Sequence, residues 1–411
     1  MKRTAFLGAL AAATLTPTLG YAASPPRSRI ELGDDVLVAD AWHALRGRRI
    51  GIITNQSGVT SELISVVDAV HRKTSLHITA LFAPEHGLRG DQPAGHYVAS
   101  YRDPQTDLPV YSLYGPTRIP NASMLADVDV LLFDIQDVGD RAYTFISTMA
   151  EAMKAAKAHG KELWILDRPN PIGGHLVEGP VLEPAYESFI GMYPIAMRHG
   201  MTIGELAQLY NGHFGIGCAL HVVPMRGWQR TMLWNDTGLA WVATSPMIPT
   251  WETTLVYPGT GLIDNAGINN GVGTAKPFFY AGGYEFDSAA FARRLNARNL
   301  PGVYFREAAW SPFAGFWKNK ELRGVELTIT DPKTFLSVRT GLEIIAAAHA
   351  IAPHGLRWNV HGIDLDWGTD SVRRGILANE SPEQIEASWS HRLADFRTVR
   401  AKYVITAYGN A

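Results

Sequence analysis

The sequence predicts a mixed α/β protein, in which a Rossmann-like domain on a parallel β-sheet is followed by a smaller α+β domain. Apolar strand-like runs alternate with helix-like segments through the first half of the chain, as in successive βαβ units. Three of these runs, around Phe82, Phe133 and Ile165, end abruptly in charged sequence rich in Gly and Pro. From about Thr244 the chain becomes turn-rich, and helices and an alternating strand follow. We therefore expect two domains.

The first domain opens with a predicted βαβ unit. Its first strand runs into the polar turn 54–58, and the apolar spacing of residues 61–72 predicts a helix with Ser61 as its N-cap. The second strand covers residues 76–83. Residues 88–114 then show no regular pattern, and so long a loop inside a compact domain is usually functional.

The other elements follow from the same periodicities. A short helix is expected ahead of the first strand, and the capping-box pair Thr202 and Glu205 marks the start of a later one. The predicted elements are helices over 35–45, 145–159, 202–211, 286–296, 334–349 and 382–399, and strands beginning at Val128 and Leu163 and over 221–225 and 324–330. In the last helix, Trp389 and Phe396 are expected to face inward.

The N-terminus has the pattern of a secretory signal peptide. Met1-Lys2-Arg3 is cationic, residues 4–19 are apolar and small, and a cleavage site follows at Ala22 or Ala23. The apolar run is short for a membrane span. We expect a signal peptide over 1–23, the Rossmann-like domain over 24–260 and the α+β domain over 261–411. The mature protein would be exported, periplasmic or extracytoplasmic, with no membrane association after cleavage.

Composition excludes some classes of partner. The net charge of -2 gives no basic field for nucleic acid and no polybasic patch for anionic lipid. The single cysteine, Cys218, cannot form an internal disulfide, and its apolar neighbours favour a buried structural thiol over a nucleophile. Stability must therefore come from the hydrophobic core.

The motifs that are missing narrow the chemistry further. The turn 54–58 is not a G-x-G-x-x-G fingerprint, and the chain has no P-loop, no G-x-S-x-G and no dense His/Cys cluster. We therefore predict no nucleotide cofactor and no metal. Carboxylates acting as general acids and bases are the chemistry that this inventory favours.

Charged residues follow three predicted strands. Because the carboxyl ends of parallel strands meet at one edge of the sheet, we expect these residues to form one site. They are Glu85 and His86, then Asp137, Asp140 and Arg141, then Asp167 and Arg168, with Glu178 and His199 further along. Three of these groups also have a structural alternative: Glu85 as a helix or loop cap, Asp137, Asp140 and Arg141 as an internal ion pair, and the segment around His199 as a simple helix start.

Taken together, six motifs are more specific than any one of them. These are Thr54-Asn55-Gln56-Ser57-Gly58, Pro84-Glu85-His86-Gly87, Ser112-Leu113-Tyr114-Gly115, Phe133-Asp134-Ile135-Gln136-Asp137-Val138-Gly139, Leu166-Asp167-Arg168-Pro169-Asn170-Pro171 and Arg198-His199-Gly200-Met201-Thr202-Ile203-Gly204-Glu205. In this order they resemble the exo-β-N-acetylmuramidases of the NamZ type, glycoside hydrolase family 171. The resemblance covers nearly all of the chain after the predicted signal peptide.

The resemblance implies removal of terminal N-acetylmuramic acid from the non-reducing end of peptidoglycan fragments, in a cleft between the two domains. It implies Glu85 as the catalytic acid, with Asp140 and Asp137 ranked first for the second carboxylate. It further implies a muramyl saccharide or muropeptide substrate, and candidate contacts to it from Asn55, His86, Arg141, Asp167, Arg168, Glu178 and His199. Two positions depart from the family pattern, because Val272 replaces an expected arginine and an expected glutamate is absent or shifted to Asp264.

Two other classes of function stay open from the sequence. A non-catalytic periplasmic protein that binds muramyl saccharides fits the same two-domain cleft, and the departure at Val272 makes it plausible. A metal-dependent hydrolase using His86, Asp137 and Asp140 is the third hypothesis.

Overall fold

The computed structural model describes residues 30–90, 99–284, 286–315, 317–352 and 354–410. The predicted signal peptide over 1–23 lies outside these residues. Within them, no helix combines the length and the apolar character needed to cross a membrane.

The described residues form strands and helices that alternate along the chain. The strands are β1 (Arg49–Thr54), β2 (His77–Ala83), β3 (Tyr101–Arg102), β4 (Pro109–Ser112), β5 (Val130–Asp134), β6 (Glu162–Leu166), β7 (Glu178–Val181), β8 (Ala196–Arg198), β9 (Ala219–Val223), β10 (Tyr280–Gly283), β11 (Val303–Trp310) and β12 (Leu322–Ile329). The helices are α1 (Gly33–Ala39), α2 (Val66–Lys73), α3 (Phe145–Ala158), α4 (Ile203–Gly212), α5 (Trp251–Thr260), α6 (Ser288–Asn296), α7 (Ser337–Ile351), α8 (Val360–Trp367), α9 (Ser371–Leu377) and α10 (Pro382–Arg400). Short 3₁₀ turns cover Ala41–Leu45, Pro184–Tyr186, Trp234–Thr237, Asp264–Ala266 and Thr406–Tyr408.

The first half of the chain is organised around a seven-stranded sheet with the order β3-β4-β2-β1-β5-β6-β9. Its neighbours pair in parallel except at the β3–β4 edge, so the predicted parallel sheet is confirmed. Successive residues of the central strands enter different apolar clusters: Phe133 contributes to one and Leu132 to the other. Both faces are therefore covered, as parallel sheets require.

The second half contains a three-stranded antiparallel sheet, with the order β10-β12-β11, against which α6 packs. Its apolar residues join the larger core of the first half, since Phe82, Phe305 and Phe396 belong to one cluster. The predicted inward side chains of α10, Trp389 and Phe396, are buried. Helix α10 packs on β7 and returns the chain end to the first half, so the smaller α+β part is tied to the Rossmann-like part.

Several sequence predictions are wrong in detail, for reasons of tertiary structure. The helix predicted over 61–72 begins only at Val66, because the Ser61 N–H donates to the Asp35 carboxylate instead of starting a helix. The segment 88–114 is not all loop, since it contains β3 and β4, and β4 extends the sheet beside β2. The turn-rich stretch around Pro258 lies within α5, where Gly259 lets this helix touch the backbone of α7 at Ser337.

Candidate active site

The loops that follow β2 and β5 bring the first two charged clusters to one rim. These strands flank β1 in the sheet and all three run in parallel, so their carboxyl ends lie side by side. Glu85 comes two residues after β2, and Asp137 and Asp140 follow β5. All three carboxyl groups are buried or nearly so.

Two hydroxyl groups surround the Glu85 carboxyl group. Thr144 Oγ1 donates a hydrogen bond of 2.6 Å to Glu85 Oε2. The Tyr114 hydroxyl is hydrogen-bonded to the same carboxyl group, and burial, followed by the negative charge of Glu85, raises the pKa of Tyr114 to about 12. Tyr114 therefore stays protonated at neutral pH, and it fixes Glu85 from a second side.

The backbone turns sharply directly after Glu85. His86 has a φ of 71° and Gly87 a φ of 78°, both in the left-handed region. For a residue other than glycine this conformation is uncommon and costs free energy, and such strain is found most often at functional sites. The turn holds His86, which is buried, next to the carboxyl group.

Asp137 and His199 form the second part of the site. Asp137 Oδ2 accepts the N–H of Gly139, whose φ of 88° favours glycine, and it lies 3.3 Å from His199 Nε2. The Met201 N–H donates to His199 Nδ1 at 3.1 Å, so Nδ1 is the acceptor nitrogen of this imidazole. The two groups are in contact but not aligned for a hydrogen bond, and Asp137 Oδ1 has no partner among the described residues.

Asp140 is fully buried beside this pair. Its Oδ1 accepts the Ala142 N–H at 2.6 Å, whereas its Oδ2 has no partner within the described part of the chain. Burial raises the pKa of Asp140 to about 6, and the charge of Asp137 adds to the increase. Asp140 therefore holds its proton well above the pH at which an exposed aspartate loses it.

The second half of the chain supplies a residue that the sequence reasoning missed. Asp366, near the end of α8, accepts a 2.6 Å hydrogen bond from Asn265 Nδ2. Burial raises the pKa of Asp366 to about 7, and the nearby charges of Asp264 and Asp140 raise it further. The acidic group thus includes carboxylates from both halves. The signal for it was the pair of aspartates at 364 and 366 in an otherwise largely apolar helix.

Tyr257 connects the parts of this site. Its ring packs edge-on against Tyr143, with centroids 5.7 Å apart. Burial raises the pKa of the Tyr257 hydroxyl, and the charges of Asp140 and Glu85 contribute in the same direction. This partly buried tyrosine of α5 is therefore close to Asp140 and Glu85, which places the candidate site at the junction of the two halves.

Four of the predicted substrate-binding residues make internal contacts instead. The Arg168 guanidinium is buried, and it pairs with Asp134 at 2.6 Å and Asp34 at 2.9 Å. Asp167 accepts the Gly204 N–H at 2.8 Å and the Thr202 hydroxyl at 2.9 Å, so it caps α4. These contacts use the polar atoms that a substrate would need.

Glu178 and Arg141 also make contacts within the protein. Glu178 pairs with Arg198 at 2.6 Å across the two-stranded β7–β8 sheet. Arg141 donates to the carbonyl oxygens of Pro180 at 2.8 Å and Asp366 at 3.0 Å. It links the two halves through these carbonyls rather than through the ion pair with Asp140 that was the structural alternative.

Asn55 keeps one free polar atom. Its Oδ1 accepts from the N–H and hydroxyl of Ser57, but its Nδ2 has no partner in the described residues, and it lines a cavity of about 200 Å³ at the end of β1. Asn55 therefore stays a candidate donor to substrate. Val272, by contrast, packs against the hydrophobic core, and its N–H donates to Asn270 Oδ1.

Comparisons with known proteins decide the family. Residues 50–252 match the family model for the exo-β-N-acetylmuramidase NamZ N-terminal region, and residues 255–405 match the model for the C-terminal region. The chain belongs to the exo-β-N-acetylmuramidase NamZ family. The resemblance inferred from the six motifs is therefore confirmed. The two family models meet near the start of α5, whereas the domain boundary predicted after residue 260 lies at its end and stays a prediction.

Relatives within the family are similar along nearly their whole length. The peptidoglycan β-N-acetylmuramidase NamZ of Bacillus subtilis (strain 168) is 45% identical over 400 residues, which are 97% of this chain and 96% of that protein. A crystal structure of a DUF1343 family protein from Bacteroides fragilis NCTC 9343 is 38% identical, with a TM-score of 0.87, over 92% of this chain and 100% of that one. A second from the same organism is 25% identical, with a TM-score of 0.72, over 92% and 99%.

The raised pKa values of Asp140 and Asp366 predict a pH-dependent stability. Each folded pKa, about 6 and about 7, lies above the ordinary value of 3.8, so the folded protein keeps protons that the unfolded chain releases. Their stabilising contribution is complete below about pH 4 and is lost as the pH rises to about 7, by at most about 1.4 kcal/mol per pH unit and group. We expect Asp140→Asn and Asp366→Asn to reduce this loss of folding stability with rising pH.

Urea unfolding at several pH values between about 5 and about 8 measures the slope of the free energy of unfolding against pH. Asp127→Asn, at an exposed carboxylate, is the control and should leave the slope unchanged. If the Asp140→Asn and Asp366→Asn proteins lose stability with pH as steeply as the wild type, these carboxyl groups do not hold the extra protons.

Proposed function

We propose that this protein is an exo-acting glycoside hydrolase that releases terminal N-acetylmuramic acid from the non-reducing end of peptidoglycan fragments. The observation that carries the proposal is the 45% identity, over almost the full length of both chains, to a peptidoglycan β-N-acetylmuramidase. The acidic group at the junction of the two halves supports it, because glycoside hydrolysis uses a pair of carboxyl groups on opposite sides of the scissile bond.

Glu85 is proposed as the general acid. Thr144 and Tyr114 hold its carboxyl group in one orientation at the rim, so that its proton can pass to the glycosidic oxygen as the bond breaks. Departure of the aglycone leaves positive charge on the ring carbon and oxygen, and a carboxylate on the other side of the sugar stabilises this charge.

Asp137 is proposed as that second carboxylate, with Asp140 behind it. Asp137 Oδ1 has no partner among the described residues, and Asp137 Oδ2 lies 3.3 Å from His199 Nε2. Asp140 is more deeply buried and keeps its proton to about pH 6, which reduces the repulsion between the two carboxyl groups. His86 and Asn55 are proposed to contact the sugar.

The place of action follows from the substrate. Peptidoglycan lies outside the cytoplasmic membrane, and the segment 1–23 has the pattern of a signal peptide. We propose that the protein is exported and acts in the periplasm or another extracytoplasmic space. Neither nucleic acid nor a membrane is proposed as a partner.

Product analysis on a disaccharide of N-acetylmuramic acid linked to N-acetylglucosamine tests the proposal. We expect free N-acetylmuramic acid and N-acetylglucosamine in equal amounts, and colour release from a chromogenic N-acetylmuramide but little from the matching N-acetylglucosaminide. Among the described residues, no group of three or more His, Cys, Asp or Glu side chains has the arrangement of a metal site. We therefore expect a chelator to leave the rate unchanged.

The same assay separates the alternatives. Binding of the disaccharide without any cleavage would favour a non-catalytic binding protein. Activity that a chelator abolishes and added metal restores would favour the metal-dependent hydrolase.

A further inference from the structure

A second cavity lies on the outer side of α3, which contributes Glu151 and Lys154 to its lining. It has a volume of about 520 Å³, and we call it the Arg118 pocket. Its lining residues are Arg118, Ile119, Glu151, Lys154, Glu187, Ser188, Phe189, Met192 and Tyr193. It combines the partly buried rings of Phe189 and Tyr193 with charged groups, and such a mixture of aromatic and polar groups suits a small-molecule subsite.

Arg118 has an oriented guanidinium with free hydrogen-bonding capacity. Its Cζ lies 4.1 Å above the centre of the Phe189 ring and 5.7 Å from that of Tyr114. No carboxylate of the described residues pairs with it, whereas Lys154 in the same pocket pairs with Glu151 at 3.2 Å. A guanidinium stacked on an aromatic face keeps its N–H edge available, and that edge suits a carboxylate.

The Arg118 pocket is joined to the candidate active site through a single side chain. Tyr114 contacts Phe189, with ring centroids 6.3 Å apart, and its hydroxyl lies beside Glu85. One tyrosine ring therefore separates Arg118 from the proposed general acid. A sugar linked to the one being cleaved is within reach of the pocket.

The difference in exposure between the acidic group and Arg118 indicates how the substrate is oriented. Asp137, Asp140 and His199 are buried, whereas Arg118 is exposed. An exo-acting enzyme holds the terminal sugar at the closed end, and the remaining saccharide leaves through the open end. The Arg118 pocket is thus on the leaving-group side.

We propose that the Arg118 pocket is the subsite for the leaving saccharide and that Arg118 binds a carboxylate carried by it. In peptidoglycan that carboxylate is the lactyl group of the next N-acetylmuramic acid along the glycan. At the Tyr193 end of the pocket, Lys154 is already paired with Glu151 at 3.2 Å, and Glu187 adds a further negative charge, so the carboxylate lies at the Arg118 end. This inference rests on the proposed function and adds a preference for longer acidic fragments.

Three substrates and two variants test the proposal. The first substrate is the disaccharide, whose leaving sugar is neutral. The second is the acidic tetrasaccharide, which has an internal N-acetylmuramic acid. The third is a tetrasaccharide with N-acetylglucosamine at that internal position. Arg118→Gln should lower kcat/KM for the acidic tetrasaccharide about tenfold or more, mainly through KM, because a charge-assisted contact far from the reacting atoms is lost. The rates on the other two substrates should stay within about twofold of wild type.

Arg294→Gln is the matched control, since this exposed arginine of α6 pairs with no carboxylate of the described residues and lies far along the chain. Phe189→Leu, which removes the ring under the guanidinium, should also lower kcat/KM for the acidic tetrasaccharide. Equal losses of kcat/KM on all three substrates would place Arg118 against the terminal sugar and overturn the proposal. An unchanged kcat/KM for the acidic tetrasaccharide would overturn it as well. Wild-type protein that cleaves none of them would instead contradict the proposed function.

Discussion

Glu85→Gln is expected to lower kcat on the muramyl disaccharide by about 10²- to 10⁴-fold while the protein stays folded, since this is the usual contribution of a general acid. Glutamine has nearly the same shape, and its amide oxygen can still accept the Thr144 hydroxyl that now lies 2.6 Å from Glu85. It cannot donate a proton to the glycosidic oxygen. The sugar leaving group would then depart as an alkoxide, which is the costly step that the acid avoids.

The leaving group provides a sharper test of this role. A nitrophenolate leaves readily without protonation, so we expect the loss on a chromogenic N-acetylmuramide to be much smaller than on the disaccharide. Thr144→Val should cause a smaller loss on the disaccharide, because it removes only the hydroxyl that orients Glu85. Glu62→Gln, at an exposed carboxylate, serves as the control.

Thermal melting of each variant shows whether the fold is kept. If Glu85→Gln lowers kcat by the same factor on the disaccharide and on the chromogenic N-acetylmuramide, Glu85 acts in a step other than protonation of the leaving group. Near-normal release of N-acetylmuramic acid from the disaccharide would remove Glu85 from the catalytic group altogether.

Local sequence signals predicted the sheet because each strand carries its own pattern. The apolar runs of β1, β2, β5 and β6 are buried on both faces, and such runs are visible without knowledge of the fold. Helix α4 was predicted from its capping box, which the structure contains at Thr202 and Glu205. Strand β4 and helix α5 were missed because pairing with β2 and packing on α7 stabilise them against turn-forming residues.

The candidate site was only partly visible for a different reason. Glu85, Asp137 and Asp140 follow strands of one sheet, so chain order and the geometry of parallel strands bring them together. Asp366 comes from a helix in the second half, and no local pattern indicates where α8 packs. The sequence also does not reveal the partner of an arginine. An arginine that follows a strand gives the same local pattern whether it binds a substrate or a buried carboxylate.

Arg168 illustrates this last point and leads to the largest expected effect on stability. Its guanidinium joins Asp34 of α1 to Asp134 of β5, and all three side chains are buried. Burial raises the pKa of both carboxyl groups, while the positive charge of Arg168 opposes the increase. Arg168→Met leaves two buried carboxyl groups without their counter-charge, and we expect a loss of about 3–5 kcal/mol in the free energy of unfolding.

The pH dependence distinguishes this role from a general loss of packing. Without Arg168 the two carboxyl groups are expected to become neutral by binding protons, which the folded variant then retains to higher pH than the unfolded chain. The destabilisation relative to wild type should therefore be smaller at about pH 5 than at about pH 8, as urea unfolding can measure. Adding Asp34→Asn and Asp134→Asn to Arg168→Met should recover part of the lost stability at the higher pH.

Arg49→Met is the matched control, because this arginine pairs with Asp127 and Asp129 at the surface, and we expect it to lower the free energy of unfolding far less than Arg168→Met does. An Arg168→Met protein as stable as wild type, but with a raised KM for the disaccharide, would return Arg168 to the substrate-binding group. The expected result, a large loss of stability with the KM of the remaining folded protein unchanged, would assign it to the scaffold. In that role it fixes β5, and with β5 the loop that carries Asp137 and Asp140.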